Sequence, residues 1–292
     1  MKNGWLINDK LTCIPGTKTF WHDLLENIDG LENHCVYPFG LLKPVIEVQL
    51  GISEPDYIIR NATFFPHIES KAKTIAFLQD IYENNHIRNM QDYVLSKSDV
   101  VVFNSKYTAS KYQTEKHEII PIGVDSERFT SWKYTYRHLQ PILFVGDDSV
   151  YPKGFDKLME IVNSCESDFI FVMKNDFKIN HPRIKVYNKI SDIELIHRNC
   201  SMLICTSVVE TQHLGGVEAG FSGLPILAPN TGVYYNNPGE WGLICDSVRD
   251  YLNGMREIRT NFNKFNPRDA FLKMGLDKKS CMDKWKKLVE SV

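Results

Sequence analysis

Short apolar runs alternate with amphipathic, helix-length stretches along most of this 292-residue chain. That alternation constrains the fold more than any other feature. Strand-length runs separated by helical periodicity are βα units, which assemble into open, mostly parallel sheets. In the first half, strands are predicted at 5–8, 45–50, 57–65, 74–79, Val100–Phe103 and 119–122. A loop with Pro15, Gly16 and Thr17 leads into a helix over about 18–28, and a second helix is expected over 85–96. Asn104 and Ser105 begin a third helix running to about Thr114, because a side-chain oxygen there accepts a free first-turn amide.

The polar and aromatic stretch 125–140 breaks the pattern, and a domain boundary is expected there. The alternation then restarts. Strands are predicted at 141–145, Phe169–Met173, 183–186, 202–205 and 225–227, with helices over 154–164 and from about Ser191 and Gly216. Ligands of such sheets bind at the carboxyl ends of the strands. With two facing sheets, the cleft between them is the expected site.

Composition narrows the function. Thirty-four Lys and Arg against thirty-six Asp and Glu give a net charge of −2, without the basic excess of a general nucleic-acid binder. Lys278, Lys279, Lys284, Lys286 and Lys287 crowd the C-terminus as a solvated helix face. The seven cysteines are scattered, with no CxxC pair and no zinc spacing, and read as reduced core thiols. Residues 1–17 lack the pattern of a signal peptide, and no run nears the roughly 18 apolar residues of a membrane span. A soluble, cytoplasmic protein without a transmembrane segment is expected.

The chemistry concentrates in 205–229, C-T-S-V-V-E-T-Q-H-L-G-G-V-E-A-G-F-S-G-L-P-I-L-A-P. Glu210 follows a strand end, Gly215 and Gly216 fall where a helix should begin, and Glu218 is placed in its first turn. Free amides at a helix start hold a diphosphate, and glycines let its oxygens approach the main chain. A carboxylate accepts hydrogen bonds from two sugar hydroxyls at once. Glutamates near helix starts also occur because they complement the dipole, so this pair alone does not settle the reading.

The segment resembles the E-x7-E signature of the GT4 family of glycosyltransferases. The following A-G-F-S-G-L-P-I-L-A is similar to that family's E-A-x-A-x-G-x-P-V-x-A. I-I-P-I-G-V-D-S-E-R-F at 119–129 resembles its junction after the first domain, and I-L-F-V-G-D-D-S-V-Y-P-K-G-F-D-K-L at 142–158 its opening of the second. The match covers about residues 98–246. It implies a GT-B fold: an α/β chain of two Rossmann-like domains, 1–123 on the acceptor side and 124–276 binding the nucleotide-sugar. The amphipathic tail 276–292, with Met282, Trp285, Leu288 and Val289 on one side, would return to pack on the first domain.

Position by position, the resemblance implies that Glu218 binds the ribose and Glu210 faces the donor sugar. Lys153 would neutralise the diphosphate, beside Gly146 and the amides of Leu214 and Gly215. Gly16 and Thr17 would approach the donor phosphates from the other domain. Lys153 as a surface lysine and Gly16 as a turn glycine are the plain alternatives. The sequence also departs from the family. Asp147 and Asp148 follow Gly146 where an arginine is usual, so one cation is missing, with Arg60 and Lys18 as replacements to consider. Gln79-Asp80 stands where the family often has a histidine. His213 replaces a glycine, as a cation for the diphosphate or as a neutral residue shaping the sugar pocket.

The resemblance implies a hexosyltransferase that is retaining and metal-independent, with a UDP- or GDP-sugar as substrate and no cofactor. No D-x-D triplet occurs, and adjacent Asp147 and Asp148 on a strand would point oppositely. A glycan, lipid or protein acceptor fits the charge balance better than modified DNA. The alternatives are a non-catalytic nucleotide-sugar-binding module and a sugar-nucleotide epimerase of the same fold.

Overall fold

Near-continuous apolar strands require cover on both faces, and both sheets of this protein have it. The computed structural model describes residues 2–8, 15–35, 55–62, 70–114, 116–131 and 137–292. The strand expected at 45–50 and the end of that expected at 57–65 lie outside the described residues. The chain divides into two units, Met1–Gly123 with Lys279–Val292, and Val124–Lys278.

The first unit holds β1 (Gly4–Asn8), α1 (Pro15–Asn27), β2 (Leu31–Cys35), β3 (Tyr57–Asn61) and β4 (Lys73–Leu78). It continues with α2 (Asn85–Lys97), β5 (Val100–Phe103), α3 (Lys106–Ala109) and β6 (His117–Ile119). The strands pair in parallel in the order β2-β1-β3-β4-β5-β6. A helix from the far end of the chain completes the core. Trp285 is fully buried, with its ring 5.9 Å from Phe20 and 5.7 Å from Phe77.

Three local expectations change. Residues 15–17 form the first turn of α1, where proline's preset φ suits the opening position. The helix capped by Ser105 lasts one turn, because the amides of Lys111 and Tyr112 bond to Thr108 and Ala109 carbonyls only three residues back. The last strand is β6, which starts two residues earlier and ends at Ile119, where its partner β5 also ends at Phe103.

The second unit runs β7 (Ile142–Gly146), α4 (Phe155–Asn163), β8 (Phe169–Met173), β9 (Ile184–Asn188), α5 (Ile193–His197) and β10 (Met202–Ile204). Then come α6 (Leu214–Phe221), β11 (Ile226–Ala228), β12 (Gly242–Ile244), α7 (Val248–Thr260) and α8 (Pro267–Lys273). The last helix, α9 (Lys278–Ser291), carries Trp285. The sequence pattern does not predict β2, β12, α7 or α8. Both strands lie at sheet edges.

The second sheet has the order β12-β11-β10-β7-β8-β9, all parallel. Its two faces bury alternate residues of one strand. Leu143 packs with Leu203, Val217 and Phe271, while Ile142 and Phe144 pack with Leu158, Ile161 and Tyr251. The chain runs outward from β7 in both directions, so the order reverses between β7 and β10. Ligands of open parallel sheets bind at this switch point. The far end of α6 is anchored by Arg137, which is 2% exposed and donates to the carbonyls of Ser222, His197 and Cys200 at 3.0, 3.1 and 3.2 Å. A cation there complements the negative helix end.

Candidate functional site

The loops leaving β7 and β10 flank the switch point and are stitched to each other. Thr206 Oγ1 donates to the Lys153 carbonyl at 3.0 Å, and the Val208 amide donates to the Pro152 carbonyl at 2.7 Å. Gly154 has φ +64°, and a Cβ there would lie 2.2 Å from the Thr206 carbonyl oxygen, so only glycine lets the loops approach this closely. The stitching presents Lys153 to Glu210, and the two form an ion pair through Oε1 with little side-chain exposure. Ser207 Oγ donates to the same oxygen at 3.1 Å. Glu210 Oε2 accepts no hydrogen bond among the described residues.

Desolvation works to raise the Glu210 carboxyl, but the charge of Lys153, with His213 and Ser207, outweighs it and holds the group below the usual carboxylate range. Desolvation likewise works to lower Lys153, and Glu210 reverses it, keeping the ammonium charged. The two residues expected to contact different parts of a donor are therefore brought together. Each stabilises the other's charge.

Helix α6 begins at Leu214, two residues before the expected start. His213 takes a left-handed conformation, φ 67° and ψ 62°, and its carbonyl accepts the amides of Gly216 and Val217 at 3.0 and 3.1 Å. The amides of Leu214 and Gly215 make no hydrogen bond among the described residues, as an anion-binding helix start requires. Glu218 consequently stands in the second turn rather than the first. It is partly exposed, and its carboxylate makes no hydrogen bond or ion pair among the described residues. Desolvation pushes its carboxyl up to about 7, against the pull of Arg128 and Lys174.

His213 is 8% exposed, and its Nδ1 lies 2.9 Å from Tyr234 Oη. Burial pushes it down to about 4, with Glu210 opposing and Lys153 and Lys174 adding to the effect. A group so lowered is uncharged at neutral pH, which favours the neutral residue over the cation among the two readings of this position. The expectation for Arg60 is corrected: it is fully buried on β3 and presents nothing to solvent. The side chain of Lys18 lies outside the described residues.

Gly16 and Thr17 belong to the first unit, in the opening turn of α1. Gly146 ends β7 at the switch point. Asp147 accepts from the Ser149 hydroxyl and, at 3.1 Å, its amide, and Asp148 accepts from Asn175 at 2.6 Å. No group of three or more His, Cys, Asp and Glu suited to a metal gathers among the described residues. No helix among them is long and apolar enough to cross a membrane.

Sequence reasoning missed two participants. Lys174 directly follows β8, and its amide donates to the Gly146 carbonyl at 2.9 Å. Its exposed ammonium forms no ion pair among the described residues, and its charge is felt by Asp147, His213 and Glu218. Its place immediately after a predicted strand was the signal available. Tyr234, in the loop after β11, had no such signal.

No family model matches the chain, and no curated protein matches it by sequence. Solved structures do. Sucrose-phosphate synthase from Thermosynechococcus elongatus superposes with a TM-score of 0.79 at 11% identity over 99% of each chain. HepE of Anabaena in complex with UDP-glucose gives 0.76 at 13% identity over 100% of both chains. The apo form of the lipopolysaccharide outer core galactosyltransferase WaaB gives 0.77 at 11% identity, over 100% of this chain and 99% of the other. At these identities the likeness is one of fold: the chain has the two-domain, Rossmann-like GT-B fold.

Proposed function

We propose that this protein is a GT4-like glycosyltransferase that moves a hexose or related sugar from a nucleoside diphosphate sugar to an acceptor hydroxyl. The observation that carries the reading is the start of α6. Two free amides there adjoin the Lys153–Glu210 pair, and an unpaired carboxylate, Glu218, follows one turn later. The amides suit a diphosphate, and the carboxylates suit ribose and sugar hydroxyls. The UDP-glucose held by HepE supports a UDP-sugar, with a GDP-sugar as the other donor to test.

In the proposed reaction the acceptor oxygen bonds to the anomeric carbon as the bond from that carbon to the phosphate oxygen breaks. The acceptor proton passes to the leaving diphosphate, and the configuration is retained. Lys153 and the α6 amides stabilise the charge that develops on the leaving group, without a metal and without a further cofactor. Lys174 supplies the cation expected after Gly146, where Asp147 stands instead. A cytoplasmic enzyme acting on a glycan, lipid or protein is the corresponding setting.

The test is mass spectrometry after incubation with a panel of UDP- and GDP-sugars. At least one donor should be bound and slowly hydrolysed, or transferred when candidate acceptors are added. A protein that neither binds nor turns over any of them would overturn the proposal.

A further inference from the structure

We infer that Tyr234 holds His213 in the tautomer with its proton on Nε2, and that this N–H donates a hydrogen bond to an oxygen of the bound donor. The inference rests on reading the α6 start as the donor site. Its acceptor is a phosphate oxygen or a sugar hydroxyl.

The backbone first indicates that the side chain matters. A left-handed residue before a helix is ordinarily glycine, and a histidine there carries conformational strain. The side chain makes no capping bond that would offset it. Its visible contact is with Tyr234 Oη, 2.9 Å from Nδ1. Gly216 makes room for that contact. A Cβ on Gly216 would lie 2.1 Å from the Tyr234 oxygen and 2.3 Å from His213 Nδ1. A strained histidine and an obligate glycine thus serve one hydrogen bond.

The direction of that bond follows from burial. Tyr234 is 0% exposed, and its hydroxyl has no other partner among the described residues. A buried O–H needs an acceptor. If Nδ1 carried the proton, the tyrosine proton would have none. Tyr234 therefore donates, Nδ1 accepts, and the ring proton resides on Nε2. Nε2 makes no hydrogen bond among the described residues, and it is absent from the polar atoms that are both buried and unpartnered. It is an accessible, oriented donor on a ring close enough to Glu210 and Lys153 to feel both charges. An uncharged N–H reads the position of an acceptor oxygen, whereas a free cation would attract any anion.

Nitrogen-15 correlation spectra of the histidine rings, with His213 assigned through His213→Gln, test the tautomer in the free protein. Wild type should show a protonated Nε2 and an unprotonated Nδ1, and Tyr234→Phe should lose that fixed pattern. A proton on Nδ1 in wild type overturns the inference. Calorimetry then compares UDP and a UDP-sugar that wild type binds. His213→Gly, which suits the backbone, should weaken affinity about 3- to 10-fold, the loss of one neutral hydrogen bond. Tyr234→Phe should move it the same way by less. An equal loss for both ligands assigns a phosphate oxygen, and a loss confined to the UDP-sugar assigns a sugar hydroxyl. Unchanged affinity in His213→Gly overturns the contact while leaving the donor-site reading intact. Wild type that binds no nucleotide overturns the donor-site reading itself and, with it, the contact.

Discussion

The second unit builds its sheet, helices and candidate site from one uninterrupted stretch, Val124–Lys278, whereas the first unit borrows Lys279–Val292 to finish its core. The polar groups differ as well. At the carboxyl ends of its strands the second unit sets Lys153 against Glu210 and leaves Lys174 and Glu218 unpaired among the described residues. The described part of the first unit places buried amides there. Asn104 donates to the Gln79 carbonyl at 3.1 Å and accepts from Thr108 at 2.7 Å, and Gln79 Oε1 is buried without a partner. Among the described residues the strand ends of the two units thus differ: the second pairs Lys153 with Glu210, while the first joins Asn104 to the Gln79 carbonyl and buries Arg60 near the end of β3. Strand topology chooses where a site lies, and the loop residues choose what it does.

The largest effect should come from the borrowed helix. Trp285→Ala removes a fully buried ring from Phe20 and Phe77 and should destabilise the first unit by about 3–5 kcal/mol in urea unfolding. UDP affinity should change little, because the α6 site belongs to the other unit. A loss below about 1 kcal/mol would show that the first unit does not depend on α9.

Next comes the charged pair. Lys153→Ala should lower turnover by roughly 10²–10³-fold, the scale of removing one group that stabilises a leaving charge. Steady-state kinetics with the identified donor measure it. Normal turnover would remove charge chemistry from the second unit and erase the contrast with the first.

Glu218 gives a pH signature. Its folded pKa is raised from 4.5 to about 7, so the folded protein holds a proton that the unfolded chain has released, and this contribution to stability is lost as pH rises from about 4.5 to 7. Ribose hydroxyls donate to the ionised carboxylate, so nucleotide affinity should instead strengthen as pH rises through 7. Glu218→Gln should flatten the part of the profile that belongs to this carboxyl and cost on the order of 1.5–3 kcal/mol at pH 8. Identical calorimetric profiles for the two proteins would place the ribose elsewhere.

Lys174→Ala should have the smallest effect. Its ammonium is exposed, so the loss in UDP affinity should stay within about 1 kcal/mol and shrink with added salt. A salt-independent loss would mean that Lys174 is enclosed when the nucleotide binds.

Residues acting on near neighbours in sequence were legible. The βα alternation, the Ser105 cap and the Glu210–Glu218 spacing are all written within short windows, because strand pairing, capping and helix ends obey local periodicities. Boundaries set by partners were not. β6 stops where β5 stops, and α6 starts where His213 turns left-handed. Edge strand β2, L-E-N-H-C, lacks the apolar pattern of a strand covered on both faces, and β12, G-L-I, is apolar but only three residues long.

By itself the sequence determined two βα sheets, the break between them and the segment that holds the candidate site. Only the tertiary structure decided which side chains meet there. Lys153 and Glu210 are 57 positions apart, and His213 and Tyr234 are 21 apart. Trp285 reaches Phe20 from the opposite end of the chain. No local periodicity encodes such pairs. Lys153 meets Glu210 because the switch between β7 and β10 brings two loops together, and burial removes water as the competing partner for the polar pairs.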